Sequence, residues 1–230
     1  MPLQSGKRPW VRWVVEFTLI LASVFLAVSL ENVREAGAER ATAQAALEQL
    51  LGELHEDHAD FLRIIEEQEA LSRHYSDLDR WLEDGSDYPP DSVGAALAAV
   101  LSNPTLFTRR ASWTTMVSAG QLAHLNAPEL VLQLGQLYET AYGRLEYNSR
   151  FYDEEMFAEF RSTEAMRWDN YRRGGQPLVD DPVEVRRLAG RLSRIHSMWT
   201  LWYRDLLIEY EDDVLDAIGA VEQYLATRRQ

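Results

Sequence analysis

Hydrophobic and polar positions divide the chain into one unbroken apolar run and a series of periodic stripes. Between Trp13 and Leu30 the only charge is Glu16, and Lys7, Arg8 and Arg12 stand just ahead of the run. Crossing the hydrocarbon of a bilayer takes about 20 such residues in a helix. The run, extended into the headgroup region by the amphipathic rings of Trp10 and Trp13, predicts one membrane-spanning helix. Glu16 lies shallow enough in it for the carboxylate to reach the interface.

Past the run, Leu47, Leu51, Leu54, His58, Phe61, Ile65, Gln68, Leu71, Tyr75, Leu78 and Leu82 recur at spacings of three and four. That is the stripe of a long amphipathic helix, able to continue directly from the span and to end near Asp84-Gly85. A shorter helix is predicted from Asp91 or Ser92 to before Asn103-Pro104, and another over Ala111 to Ala119, closed by Gly120. Asn126, Pro128 and Glu129 read as a helix start, with Asn126 as the capping side chain. The second long stripe follows through Leu130, Leu134, Leu137, Ala141, Leu145, Asn148, Tyr152, Met156 and Phe160. After a loop over Trp168 to Asp180, Asp181-Pro182 opens the last helix. Its stripe runs through Val185, Leu188, Leu192, Ile195, Trp199, Trp202, Leu206, Tyr210, Val214, Ile218, Val221 and Leu225.

No segment alternates with the period of a strand. The expected fold is all-α: a single N-terminal transmembrane helix followed by an antiparallel helical bundle of three long and two short helices. Residues 1–12 form a short N-terminal segment, 13–30 the span and 31–230 the bundle domain. Lys7, Arg8 and Arg12 outweigh Arg34 and Arg40, which are mixed with Glu31, Glu35 and Glu39. The positive-inside bias therefore puts the N-terminus in the cytoplasm. In a bacterium the anchor then sits in the inner membrane and residues 31–230 in the periplasm. A cleaved secretory signal is the competing reading, but no small-x-small site follows Leu30 before Ala36 and Ala38.

Charge narrows the partners. Setting aside Lys7, Arg8, Arg12 and Glu16 leaves 20 basic and 36 acidic side chains in residues 31–230, a net of −16. Such a body repels nucleic acid and anionic headgroups, so no nucleic-acid partner is expected. The absence of cysteine excludes disulfides, thiolate metal sites and cysteine nucleophiles. Seven Trp and ten Tyr are enough to supply docking surfaces, although most are expected to fill a helical core.

At 100° per residue Glu16, Ser23, Ala27 and Arg34 lie within about 20° of one line along the helix. Ser23 and Ala27 form a small-xxx-small pair, which lets another helix approach closely. An ionisable group facing lipid is costly, so this line reads as a membrane-helix packing face, with a monomeric tether whose Glu16 snorkels to water as the alternative.

The chain carries no recognisable reaction motif. The di-iron bundle motif Glu-x-x-His needs Glu three residues before His, where this chain has Gly52, His55, Leu71, Gln121 and Ser193. His55 and His58 with Glu56 and Asp57 form the one grouping of ligand-type residues, and it reads as a solvated or packing face of a helix. No phosphate-binding loop, dinucleotide fingerprint, nucleophile elbow or zinc-protease motif occurs. No cofactor or metal is expected, and no enzymatic activity. The distinctive polar region is Arg161, Arg167, Trp168, Tyr171, Arg172 and Arg173, followed by Arg186, Arg187, Arg191 and Arg194. Arginine with aromatics on a loop is the composition of a docking surface, and pairing with the protein's own acidic helices is the competing account.

Glu16-Phe17-Thr18-Leu19-Ile20-Leu21 through Ser29-Leu30-Glu31-Asn32-Val33-Arg34-Glu35 resembles the anchor of a large uncharacterised bacterial family. Its members are single-pass, start the span with Glu and end it in an Asn-Trp-x-Glu type sequence; Val33 replaces the aromatic here. Ser112-Trp113-Thr114-Thr115, Ser118-Ala119-Gly120-Gln121-Leu122 and Pro128-Glu129-Leu130 with Tyr138 are similar to the family's mid-domain pattern. The resemblance implies a membrane-anchored helical protein and carries no catalytic residue across.

These readings converge on a non-enzymatic accessory or structural subunit that docks onto a larger integral-membrane complex, of bioenergetic or transport type. A homo-oligomeric stalk joined through Ser23 and Ala27, or a periplasmic sensor or ligand-binding bundle, are the alternatives.

Overall fold

The computed structural model describes residues 9–85, 105–161, 182–195 and 200–228, and every regular element among them is helical. Helix α1 runs without a break from Pro9 to Asp84. It ends where the sequence places its stop: Gly85 takes the left-handed conformation (φ 69°) that an L side chain resists, and its N–H donates to the Trp81 carbonyl. Helix α2 is Ala111–Ser118, and a 3-10 turn over Gln121–Leu125 follows. Helix α3, Pro128–Gly135, passes through a π segment, Gln136–Ala141, into α4, Tyr142–Phe160. Helices α5, Pro182–Ile195, and α6, Leu201–Arg228, complete the bundle. The helix expected from Asp91 or Ser92 lies outside the described residues.

The two halves of α1 differ in what covers them. Every residue from Trp13 to Leu30 is exposed, and the helix contains a window of mean hydropathy 2.2, none of it buried, long and apolar enough to cross a membrane. From Ala43 onward the same helix buries Ala43, Leu47, Leu50, Leu54, Asp57, Phe61, Ile64 and Gln68, then Tyr75 and Leu78. That alternation of four and three is a heptad seam. Leu50, Asp57 and Ile64 take the places expected for Leu51, His58 and Ile65, which are only half-buried.

The chain folds back along this seam. Helix α5 lies on the far end of α1, with the Arg186 guanidinium donating to the Leu82 carbonyl and Ser193 bonded to Asp79. Helix α6 then runs towards the near end, burying Tyr203, Leu206, Leu207, Tyr210, Val214, Ala217, Ile218, Val221 and Leu225. At its close the Tyr224 hydroxyl donates to the Leu125 carbonyl. The last helix expected from Asp181-Pro182 is described in two parts, α5 and α6, with residues 196–199 between them outside the described residues; Trp202 is 40% exposed because Tyr203 occupies the buried position beside it. Helices α3 and α4 bury the predicted stripe from Leu130 to Met156 and add Tyr138, Tyr142 and Ser149.

Asn126 departs from its expected role. It sits in the left-handed region (φ 51°) at the end of the 3-10 turn, Ala127 holds the cap position of α3, and no side chain caps it. Asn tolerates the left-handed region better than most residues, so the turn uses its backbone rather than its amide. Pro128 opens the helix as expected.

Candidate functional site

The apolar half of α1 presents the predicted packing face on one unbroken helix, so Glu16, Ser23, Ala27 and Arg34 keep their common line. The Ser23 hydroxyl donates back to the Leu19 carbonyl at 2.7 Å, and Arg34 pairs with Glu31 at 2.8 Å. The first satisfies the hydroxyl within its own helix, which leaves a small side chain on the line. Trp10 and Trp13 are exposed at the start of α1. Of the candidate docking surface, Arg161 lies over the Phe157 ring at 4.8 Å. Arg167, Trp168, Tyr171, Arg172 and Arg173 lie outside the described residues.

The densest polar cluster among the described residues is one the sequence reading missed. Residues 105–110 form an irregular strap between α1 and α4, and its two adjacent arginines engage carboxylates on opposite sides. Arg109 reaches α1: its guanidinium bonds Asp57 at 2.8 Å, Asp60 at 2.9 Å and Glu56 at 2.7 Å, and its backbone N–H also donates to Asp57. Arg110 turns the other way, to Glu146 at 3.1 Å and to the Tyr138 carbonyl at 2.6 Å. A π turn misaligns the backbone ladder, and the Tyr138 carbonyl within it gains a charged donor. Trp113 stacks on the Tyr138 ring at 5.0 Å and donates its indole N–H to Glu139.

Glu53 of α1 accepts from the Ser112 N–H and hydroxyl, so α2, which has no side-chain cap of its own, is capped by another helix. Farther along the strap, the Leu106 N–H donates to the Tyr203 hydroxyl, which shares a 2.7 Å bond with Ser149. Thr105 donates to Asp153.

Burial decides the electrostatics. It pushes the fully buried Asp57 above the ordinary carboxylate value, against the opposing hydrogen bonds from Arg109. Burial raises Asp60 as well, but hydrogen bonds from Arg109 and Arg63 outweigh it and hold that carboxyl below its usual value. Burial lifts the Tyr203 phenol to about 12. These carboxylates are committed to guanidinium and backbone donors, so the cluster serves as a clasp that fixes α1, the strap and α4 together.

The histidine grouping disperses: His55 pairs with Glu222 at 3.5 Å and His58 with Glu211 at 3.2 Å, both on α6. Among the described residues no three His, Asp or Glu side chains are placed to hold a metal ion. A groove of about 610 Å³ opens between α3 with its π segment and α6, lined among others by Glu129, Leu132, Leu137, Ala141, Tyr210, Asp213 and Asp216.

The model of a family of unknown function (DUF6090) matches residues 16–170. The chain belongs to this family. The DUF6090 match begins at Glu16, the first residue of the polar line, and spans α1, the strap with both arginines, and α2 through α4. Helices α5 and α6 lie beyond it. No curated protein and no solved structure matches the chain.

Proposed function

We propose that this DUF6090 protein is a non-enzymatic, single-pass subunit whose apolar helix packs in a bacterial inner membrane against a larger integral-membrane complex. The bundle is carried on the periplasmic side. The observation that carries this reading is the bare apolar half of α1: a run of large exposed side chains that no other described residue covers, crossed by one small, polar line. In water such a surface would be strongly unfavourable, and in lipid it is the ordinary state. Glu16, Ser23 and Ala27 along that line suit a helix–helix contact better than a lipid contact.

Photo-crosslinking from Ala27, compared with Phe25 on the opposite face, tests the proposal in intact membranes. An adduct to an integral-membrane protein from Ala27 but not from Phe25 supports it. Crosslinks to lipid alone from both positions would sink it, as would a clean monomer after gentle detergent extraction. The small pair Ser23 and Ala27 also suits a second copy, and an adduct of twice the chain mass would select that reading. Because the chain has no cysteine, single cysteines at Gln4 and Gln230 report orientation through an impermeant thiol reagent.

A further inference from the structure

The groove between α3 and α6 combines two features that rarely coincide by packing alone. Its floor is apolar, formed by the buried Leu137 and Ala141, and Leu132 stands 64% exposed at its lip. Its two rims carry carboxylates from different helices, Glu129 on one side and Asp213 with Asp216 on the other. Helix α3 begins just after the 3-10 turn whose His124 pairs with Glu39 at 3.3 Å. Glu39 lies about 13 Å along α1 from Leu30. The groove therefore opens on the half of the bundle nearest the apolar segment.

We propose that this groove is the docking site for a basic amphipathic helix belonging to the membrane partner. The inference rests on the anchored reading above and names the partner's chemistry. A channel between two helices with an apolar floor accepts the apolar face of a third, read as side chains at three- and four-residue spacing. Lys or Arg flanking that face would meet Glu129 on one rim and Asp213 and Asp216 on the other, which sets register and excludes acidic segments. Burial first, then Asp216, Glu209 and Asp212, push Asp213 above its ordinary value, and a cation in the groove between this rim and Glu129 relieves that crowding.

The probe is a fluorescent synthetic helix of about 18 residues with a Leu stripe flanked by Lys, titrated onto the full chain in zwitterionic nanodiscs. Two variants of equal charge are compared. One is the groove triple Glu129→Gln, Asp213→Asn, Asp216→Asn; the other is a remote triple on α1, Glu66→Gln, Glu69→Gln, Glu83→Gln. We expect the groove triple to weaken binding at least about tenfold and the remote triple less than about twofold, with Leu132→Ala alone costing about threefold. Equal loss in both triples would reduce the effect to the overall acidity of the bundle, and an unchanged groove triple or Leu132→Ala would overturn the site. Spermine competing at the same concentration as the peptide would also overturn it, since a small cation needs no apolar floor. If the groove triple still carries its membrane partner while Ala27 still crosslinks, docking through the anchor stands and this inference falls. Loss of the Ala27 adduct with peptide binding intact is the opposite result.

Discussion

The two halves of α1 have the same backbone and opposite surroundings. Residues 13–30 show their apolar side chains on every side, whereas residues 43–82 hide theirs along one seam at alternating spacings of four and three. An all-round apolar helix and a one-stripe helix call for different solvents, and the difference is legible because nothing interrupts the helix between them. Glu39 marks the junction, since its pair with His124 ties the helix to the body soon after the apolar run ends. On the proposed reading lipid covers the first half and protein the second.

The sharpest way to break that contrast is to remove the first half. Deleting residues 1–30 should move essentially all of the protein from the membrane pellet to the soluble fraction, with the helical signal per remaining residue unchanged. A truncated chain that still sediments with membranes would refute the proposed role of the segment. One that loses its helical signal would show that the bundle depends on it for folding.

Matched truncations of one side-chain type sharpen the same contrast. Leu54→Ala, on a fully buried seam position, should destabilise the bundle by about 3 to 4 kcal/mol, while Leu26→Ala, exposed, should change it by less than about 0.5 kcal/mol. Thermal melts in one detergent measure both. Similar losses would mean that the exposed segment packs on the body after all.

The seam also shows where a reading of the sequence stops. Ala43, Leu47, Leu54, Phe61, Gln68, Tyr75 and Leu78 fall on a heptad that Leu50, Asp57 and Ile64 complete. Leu50 and Leu51, like Ile64 and Ile65, are equally apolar, and a carboxylate is a poor candidate for a core position, so the stripe is drawn one residue late, through Leu51, His58 and Ile65. The charge is tolerated because Arg109 and its backbone N–H come from a segment about fifty residues away, and nothing local to Asp57 announces them. The clasp was illegible for the same reason: Arg109-Arg110 is an unremarkable pair until the fold brings three acidic residues of α1, Glu56, Asp57 and Asp60, and Glu146 of α4 around it. Trp202 stands on the expected stripe at ordinary helical spacing, yet its neighbour Tyr203 holds the buried position, and spacing does not tell two adjacent bulky aromatics apart. The helical class, the stop at Gly85 and the start at Pro128 depend on local chemistry and were readable.

Arg109→Ala tests whether the seam depends on its distant partner. Removing the guanidinium leaves a buried carboxylate without its main counter-charge, a change that costs about 3 to 5 kcal/mol when both groups are buried. Arg109 is 36% exposed and water can partly replace it, so about 2 kcal/mol is expected. Adding Asp57→Asn to that variant should recover part of the loss, because the unpaired charge is gone. If Arg109→Ala is silent, the clasp is ornamental and some other interaction keeps Asp57 in the seam.

The smallest effect concerns pH, and its sign separates two neighbouring carboxylates. Asp57 has a folded-state value above its unfolded one, so between the two values the native state binds more protons than the unfolded chain. Its contribution to stability therefore rises as the pH falls from the raised folded value towards the ordinary Asp value. Asp60 is held below its unfolded value, so its contribution is present above the ordinary Asp value and disappears as the pH falls through the folded one. Acidification from neutral pH should thus shift the difference between wild type and Asp57→Asn in favour of wild type, and the difference between wild type and Asp60→Asn against it. Denaturant midpoints of the three proteins at neutral pH and near pH 4 decide the matter. Parallel curves for both variants would mean that burial does not distinguish Asp57 from Asp60, and that the seam tolerates its carboxylate because water reaches it.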